Sequence, residues 1–388
     1  MSRFYSYLNT AAHIIQLYKG ELPLAIFLKQ FFAKEKKYGS KDRKQIAALC
    51  YAYFRIAAGL KPVQMELALQ IAVFLCENKP NPFLQTLKPE WNDLSEVAFT
   101  EKLEIVKQYF DYQLIFPLKQ QLSPAVNQQL FVSSLLTQPD LFIRVRPTFR
   151  DKVLKELDDA GVQFTAVNEY CLALPNATKL PENLILNQHY VVQDASSQKV
   201  GNILKNYLGT DLNDKNIWDC CAASGGKSIM LHDAGFIYNL YVSDIRASIL
   251  NNLKSRFETA GIKKYTSFVA DLTSNHIKAP ISNFDVIIAD VPCSGSGTWG
   301  RTPEQLSFFG TNDLNLYTSR QKSITANLIP FLKTNGIMIY ITCSIFTAEN
   351  EAIVAELTNN NFELMHSETI LGYKHKADSM FLAILKKK

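Results

Sequence analysis

Apolar residues recur at helical spacing through the first 130 or so positions of the chain. The segment A-A-H-I-I-Q-L-Y, the run P-L-A-I-F-L-K-Q-F-F from Pro23, and R-K-Q-I-A-A-L-C-Y-A-Y-F-R-I-A-A-G, which stops at Gly59, each predict a helix. Gly39, Ser40 and Asp42 supply a turn and capping chemistry ahead of the third. Further helices are predicted across 62–77, 95–110 and 125–137, with the Pro- and Asn-rich stretch N-K-P-N-P-F as loop punctuation between the first two.

Near residue 140 the period changes. L-F-I-R-V-R-P is strand-like, D-K-V-L-K-E-L-D-D-A-G is a helix ending at Gly161, and V-Q-F-T-A-V and Y-C-L-A-L-P are short strands. A helix then begins behind the cap candidates Asp194 and Ser196. From residue 216 buried-type strands alternate with helix-like stretches: N-I-W-D-C-C, L-Y-V-S-D-I, Y-T-S-F-V-A-D, F-D-V-I-I-A-D-V-P and G-I-M-I-Y-I-T-C-S. Crossovers of that length predict a doubly wound, mostly parallel sheet. The last two candidates, F-E-L-M-H-S-E and S-M-F-L-A-I-L-K-K, lie too close for a crossover helix, so one of them is expected to run antiparallel. The expected organisation is an all-α domain over 1–138, a small α+β linking domain over 139–193, and an α/β domain over 194–388.

With 388 residues, 47% of them hydrophobic, the chain can bury two or three cores, and a disordered-tail protein is excluded. No basic leader precedes an apolar run, and no stretch reaches about 18 uninterrupted apolar residues. A cytoplasmic protein is expected, without membrane partners and monomeric by default. The net charge of +5 is unevenly spread: residues 1–60 carry ten Lys or Arg against Glu21, Glu35 and Asp42. That excess suits a polyanion-binding appendage, and equally a Lys-rich solvated helical surface. The seven cysteines form no C-x-x-C pair and the six histidines no H-x-x-x-H pattern, so neither a disulfide framework nor a metal site is expected.

In a doubly wound sheet, ligands bind beyond the carboxyl ends of the strands. The first such end reads D-C-C-A-A-S-G-G-K-S, from Asp219 to Ser228, where two glycines let backbone approach a ligand and a helix N-terminus offers amides. It does not fit G-x-x-x-x-G-K-[ST], which disfavours a phosphate-loop NTPase. The second ends in Asp244, 25 residues on, a separation at which a carboxylate can hold both ribose hydroxyls of a nucleoside. The third ends in Asp271, able to accept from an adenine amino group. Each alone could simply cap the following helix.

The fourth end is A-D-V-P-C-S-G-S-G-T-W-G-R, with Asp290 and Cys293. The fifth is Y-I-T-C-S, with Cys343 fifty positions later. A lone strand-end cysteine is ordinarily a small buried hydrophobe, but two at adjacent ends beside an aspartate point to chemistry. Carbon 5 of a pyrimidine is a poor nucleophile. An enzyme must add a nucleophile at carbon 6 to make an enamine that takes a methyl cation from a sulfonium, and a thiolate is the best protein group for that addition. A carboxyl group such as Asp290 suits hydrogen bonding at ring nitrogen 3. Loss of the carbon-5 proton and of the thioether then gives a second thiol or a water a role.

The set D-C-C-A-A-S-G-G-K-S, V-S-D-I, V-A-D, D-V-P-C-S-G-S-G and Y-I-T-C-S-I resembles the Nop/Sun family of RNA 5-methylcytosine methyltransferases, over roughly residues 140–388. The resemblance implies a Rossmann-like domain binding S-adenosylmethionine through Cys221, Ala222, Ala223, Ser224, Gly225, Gly226, Lys227, Asp244, Asp271 and Asp290. It implies Cys343 as nucleophile, Cys293 in product release, Asp290 near the base and the cofactor amino group, Asp244 at the ribose, Asp271 at the adenine, and Lys227 at the active site. The linking domain is expected to be RRM-like. G-S-K-D-R-K-Q-I-A-A-L-C-Y-A-Y-F-R is similar to the NusB-like helical domain of the bacterial RsmB branch, which methylates small-subunit ribosomal RNA, so RNA is the implied partner.

Three positions depart from the pattern. Ser224 stands where the family usually has Pro, loosening the turn; Val291 replaces the usual Ala; and Trp299 falls in a stretch that usually reads as Leu followed by Arg, which could alter the fit of the RNA backbone near Arg301. The competing readings are a transfer-RNA cytosine-C5 methyltransferase, a noncatalytic RNA-binding assembly factor, a DNA cytosine methyltransferase and a protein or small-molecule methyltransferase. The factor predicts loss of the cysteines or acidic ligands, the DNA enzyme needs an E-N-V motif that is missing, and the last needs no thiol pair.

Overall fold

The helical periodicity of the first 130 residues is realised in the computed structural model, which describes residues 3–208, 212, 214–235 and 238–388, the side chain of Asn360 apart. The chain divides into two compact units. The first holds the described residues up to Gln120, together with Asn127–Gln138 and Trp299–Thr311. Its helices include Arg3–Leu17, Leu24–Lys34, Ser40–Ile56, Met65–Cys76, Phe99–Val106 and Gln128–Ser134. Gly39 is the N-cap of Ser40–Ile56, and Asp42 Oδ2 accepts its N–H at 2.9 Å. The N-K-P-N-P-F stretch is not loop throughout: Pro82–Leu87 is helical. Pro82 sits at a first-turn position where no N–H is needed, and Asn81 caps Leu84 N at 3.0 Å. Arg55, buried within this unit, donates to Leu135 O at 2.5 Å and to Gly300 O at 2.8 Å.

The second unit opens with a four-stranded antiparallel sheet of β1 (Leu141–Val145), β2 (Thr165–Ala166), β3 (Cys171–Leu174) and β4 (Tyr190–Val192), in the order β2-β3-β1-β4. The three-residue β4 was too short to show a period. Val153 and Leu157 of the helix Arg150–Asp159 cover Ile143, Val145, Leu172 and Leu174. Arg144 and Arg146 on this sheet share Asp233, at 2.5 and 2.7 Å, and so tie it to the helix that follows the Gly-rich turn.

The larger sheet has seven strands: β5 (Asn216–Asp219), β6 (Asn239–Asp244), β7 (Thr266–Val269), β8 (Phe284–Asp290), β9 (Leu332–Thr342), β10 (Phe362–Ile370) and β11 (Met380–Lys387). Their order is β10-β11-β9-β8-β5-β6-β7. Pairs from β7 through β9 are parallel, whereas β11 runs antiparallel to both its neighbours, as the short final connection requires. Both faces are covered. Ile287 and Ala289 of β8 join Trp218, Phe284 and Tyr340 under Ile324, Leu328, Ile353 and Leu357. Val286 and Ile288 point the other way, with Val200, Leu204, Met230 and Leu231. The strand order reverses between β5 and β8, so their carboxyl ends, Asp219 and Asp290, flank the crevice where such sheets take ligands. Among the described residues, no helix is long and apolar enough to cross a membrane.

Candidate active site

At the carboxyl end of β5 the chain must turn sharply into the helix Gly226–Asp233. It does so through two left-handed residues, Ala223 (φ 46) and Gly225 (φ 83). A Cβ on Gly225 would lie 2.5 Å from the Phe257 ring, so only glycine fits there. A Cβ on Gly226 would meet nothing within 4 Å, which leaves open space at the start of the helix. Ser224, where looseness was expected, is clamped instead: Arg256 donates to its carbonyl at 2.9 Å and also to its hydroxyl. Asp244, buried at the end of β6, accepts Ala223 N at 3.2 Å and Arg246 N at 3.0 Å, binding the two strand ends together. Ala222 is buried beside them and Cys221 half-buried.

Asp219, absent from the expected set, is 1% exposed. Its Oδ2 accepts Ser228 Oγ at 2.7 Å, and its Oδ1 has no protein partner among the described residues. Burial pushes its carboxyl up to about 6, against the Ser228 hydrogen bond. Only its position as the last residue of β5 could have marked it in the sequence.

Val291 N donates to Ile341 O at 3.1 Å and Gly297 N to Cys343 O at 2.9 Å, so the turns after β8 and β9 stay side by side. The sulfurs of Cys293 and Cys343 lie 3.2 Å apart. The Lys227 ammonium donates to Asp290 Oδ2 at 2.8 Å and to Ser197 Oγ at 3.0 Å. Burial acts to lower the Lys227 pKa, but the charge and hydrogen bond of Asp290 prevail and raise it, so the ammonium is retained. The Cys293 thiol is pushed well up, first by its hydrogen bond with Cys343 and then by burial.

The fold thus gathers Cys293, Cys343, Asp290 and Lys227 at neighbouring strand ends, with residues 221–226 and Asp244 adjoining. Asp271 sits apart at the sheet's edge, exposed, its Oδ1 accepting Thr273 N at 2.9 Å and Thr273 Oγ1 at 2.6 Å, which holds its carboxyl below the usual range. Ile245, directly after Asp244, is 58% exposed and supplies an apolar surface that the sequence did not flag. Trp299 is 1% exposed and packs against Phe116 at 5.9 Å, so its ring is interior and not an RNA-facing side chain. Among the described residues, no group of three or more His, Cys, Asp or Glu is placed to hold a metal ion.

Buried acidic residues at two strand ends, a left-handed turn and open space at a helix N-terminus together define an α/β methyltransferase fold. The solved structure of the protein PH0851 matches over 98% of both chains with a TM-score of 0.70 and 18% identity. That of NSun6 from Pyrococcus horikoshii with SFG matches 67% of this chain and 94% of its own, with a TM-score of 0.56 and 15% identity. Residues 207–386 match the family model described as 16S rRNA methyltransferase RsmB/F. A "Probable ribosomal RNA small subunit methyltransferase B" from Synechocystis is 26% identical over 74% of this chain and 69% of its own length. The cofactor is S-adenosylmethionine. The site fits it: Gly226 leaves space at the turn, Asp244 offers carboxylate oxygens for ribose, Ile245 an apolar surface for adenine, and Asp219 an unpartnered oxygen.

Proposed function

We propose that this chain methylates carbon 5 of a cytosine in small-subunit ribosomal RNA, with Cys343 as nucleophile. The observation that carries the reading is the pair of sulfurs 3.2 Å apart, beside a lysine–aspartate pair, at the strand ends where a methyl donor binds. The Cys293 thiol is held up by its contact with Cys343 and by burial, and Cys343 is assigned the attack on carbon 6. Asp290, oriented by Lys227, accepts from the exocyclic amine or pairs with nitrogen 3 as charge develops there. S-adenosylmethionine supplies the methyl cation that carbon 5 takes up. A base, the Cys293 sulfur or a water, then takes the carbon-5 proton while the carbon–sulfur bond to Cys343 breaks, and Cys293, within reach of that sulfur, is assigned to this release step. Asp271 is assigned to the adenine end of the cofactor. The first unit, with its ten basic residues in positions 1–60, is assigned to RNA binding in the manner of a NusB-like domain.

Bisulfite sequencing of total RNA, with and without the active gene, tests the target. A ribosomal cytosine that loses protection supports the reading; a transfer-RNA cytosine moves the substrate. On denaturing gels, Cys343→Ala is expected to abolish methylation and covalent RNA capture, and Cys293→Ala to accumulate a stable RNA adduct. The reverse pattern exchanges the two roles.

A further inference from the structure

Both cysteine turns are followed by a serine, Ser294 after Cys293 and Ser344 after Cys343, and both serines meet one fully buried side chain, Glu349. Its Oε1 accepts Ser294 N at 2.8 Å and Gln321 Nε2 at 2.9 Å. Its Oε2 accepts the hydroxyls of Ser294 and Ser344, each at 2.5 Å. Gln321 also donates to Pro292 O at 3.0 Å, so the helix Thr311–Leu328 grips the turn just before Cys293. Among the described residues these donors are backbone, amide and hydroxyl groups without a cation, and a carboxylate buried in that way is an expensive feature that packing alone does not require.

We infer that Glu349 is a positioning residue for the thiol pair, fixing the separation and orientation of Cys293 and Cys343 by holding both turns from one carboxylate. Fully buried, it acts through the two serines. Because the two sulfurs belong to different strand ends, nothing in the covalent chain sets their distance. One carboxylate oxygen, Oε2, takes a hydroxyl from each turn, while Oε1 takes Ser294 N and Gln321, an acceptor capacity that a single hydroxyl lacks. Its charge also raises the Cys293 thiol, after the larger effects of Cys343 and burial. The other titratable groups beside the pair are Tyr317 and Tyr340, both held neutral by burial, and the Lys227 ammonium with its partner Asp290, Lys227 lying in the field of Cys343. None of these replaces Glu349.

The inference rests on the proposed cysteine chemistry, so its test has an arm that needs no methylation. Full-length wild type, Glu349→Gln and Glu349→Ala are alkylated with iodoacetamide across a pH series, and modification at Cys293 and Cys343 is mapped by mass spectrometry. In Glu349→Gln, Cys293 is expected to become reactive at lower pH than in wild type; an unchanged Cys293 profile overturns the inference. In the methylation arm, Glu349→Ala is expected to lose on the order of 100-fold in kcat, the scale of a misplaced reacting group, with KM for RNA and for S-adenosylmethionine little changed. Glu349→Gln is expected to recover part of that rate. Wild-type kcat in a folded Glu349→Ala protein overturns the inference. Should Glu349→Ala fail to fold, Ser294→Ala and Ser344→Ala carry the same arm, each predicted to lower kcat and not to raise KM. A wild-type protein that methylates no RNA would sink the functional reading alone, because the alkylation arm still decides the role of Glu349.

Discussion

Replacing Gly297 by alanine probes how closely the two cysteine turns must approach. Gly297 lies in the turn Ser296–Thr298, fully enclosed, donating its N–H to Cys343 O at 2.9 Å and accepting Ser379 N at 2.8 Å. A Cβ there would sit 2.0 Å from Ser379 O and 3.0 Å from Cys343 O. Carbon and oxygen settle at about 3.3 Å, so one backbone must retreat by about 1 Å, and no rotamer relieves a clash between main chains. The overpacking costs about 1–3 kcal/mol, which lowers the melting point of a unit this size by about 2–12 °C. The same retreat moves the turn bearing Cys293 away from Cys343, and a displacement of that size costs about 100-fold in rate. Single-turnover methylation, with a thermal melt on the same sample, reads both effects. A Gly297→Ala protein with the wild-type rate and melting point would falsify the claim that this close backbone approach contributes to holding the two cysteine turns together.

Gly226→Ala makes the contrasting case: its Cβ meets no protein atom, so stability is expected to hold while KM for S-adenosylmethionine rises about tenfold, and an unchanged KM would place the cofactor elsewhere. Asp219 has a folded-state pKa of about 6 against an ordinary 3.8, so the native state holds its proton more tightly than the unfolded chain does. Its contribution favours folding below pH 4 and is lost as pH rises through 6. Asp219→Asn is therefore expected to be more stable than wild type by about 3 kcal/mol above pH 6 and equal to it below pH 4 in urea titrations, and a gap independent of pH would refute this. Neutralising the exposed Lys36, Lys41 and Lys44 is expected to reduce the salt slope of RNA binding by about two, and an unchanged slope would relegate that surface to scaffolding.

Much of this architecture was legible in the chain itself. Strand-like segments of six to nine residues separated by crossover lengths specify a parallel sheet, because strands covered on both faces read as near-continuous apolar runs, although the edge strand β7 is largely exposed. The short gap before β11 fixed the reversal there, and strand ends rich in Asp, Gly and Cys marked the ligand side. What local pattern did not carry were features made by residues distant in sequence: the single buried carboxylate of Glu349 serving two turns, the clamp of Arg256 on Ser224, and the burial that lifts Asp219. Helical stretches such as Pro82–Leu87 and the three-residue β4 were missed because they are too short for a period to register.

The amino-acid order settled which groups exist and at which strand ends they emerge, since side-chain type and backbone periodicity are local properties. Whether two thiols fifty residues apart come within a proton's reach was decided by tertiary structure alone. Distance between strand ends, loss of water around a carboxyl group and the approach of one backbone to another all depend on packing from the rest of the fold, and none is written in any one segment.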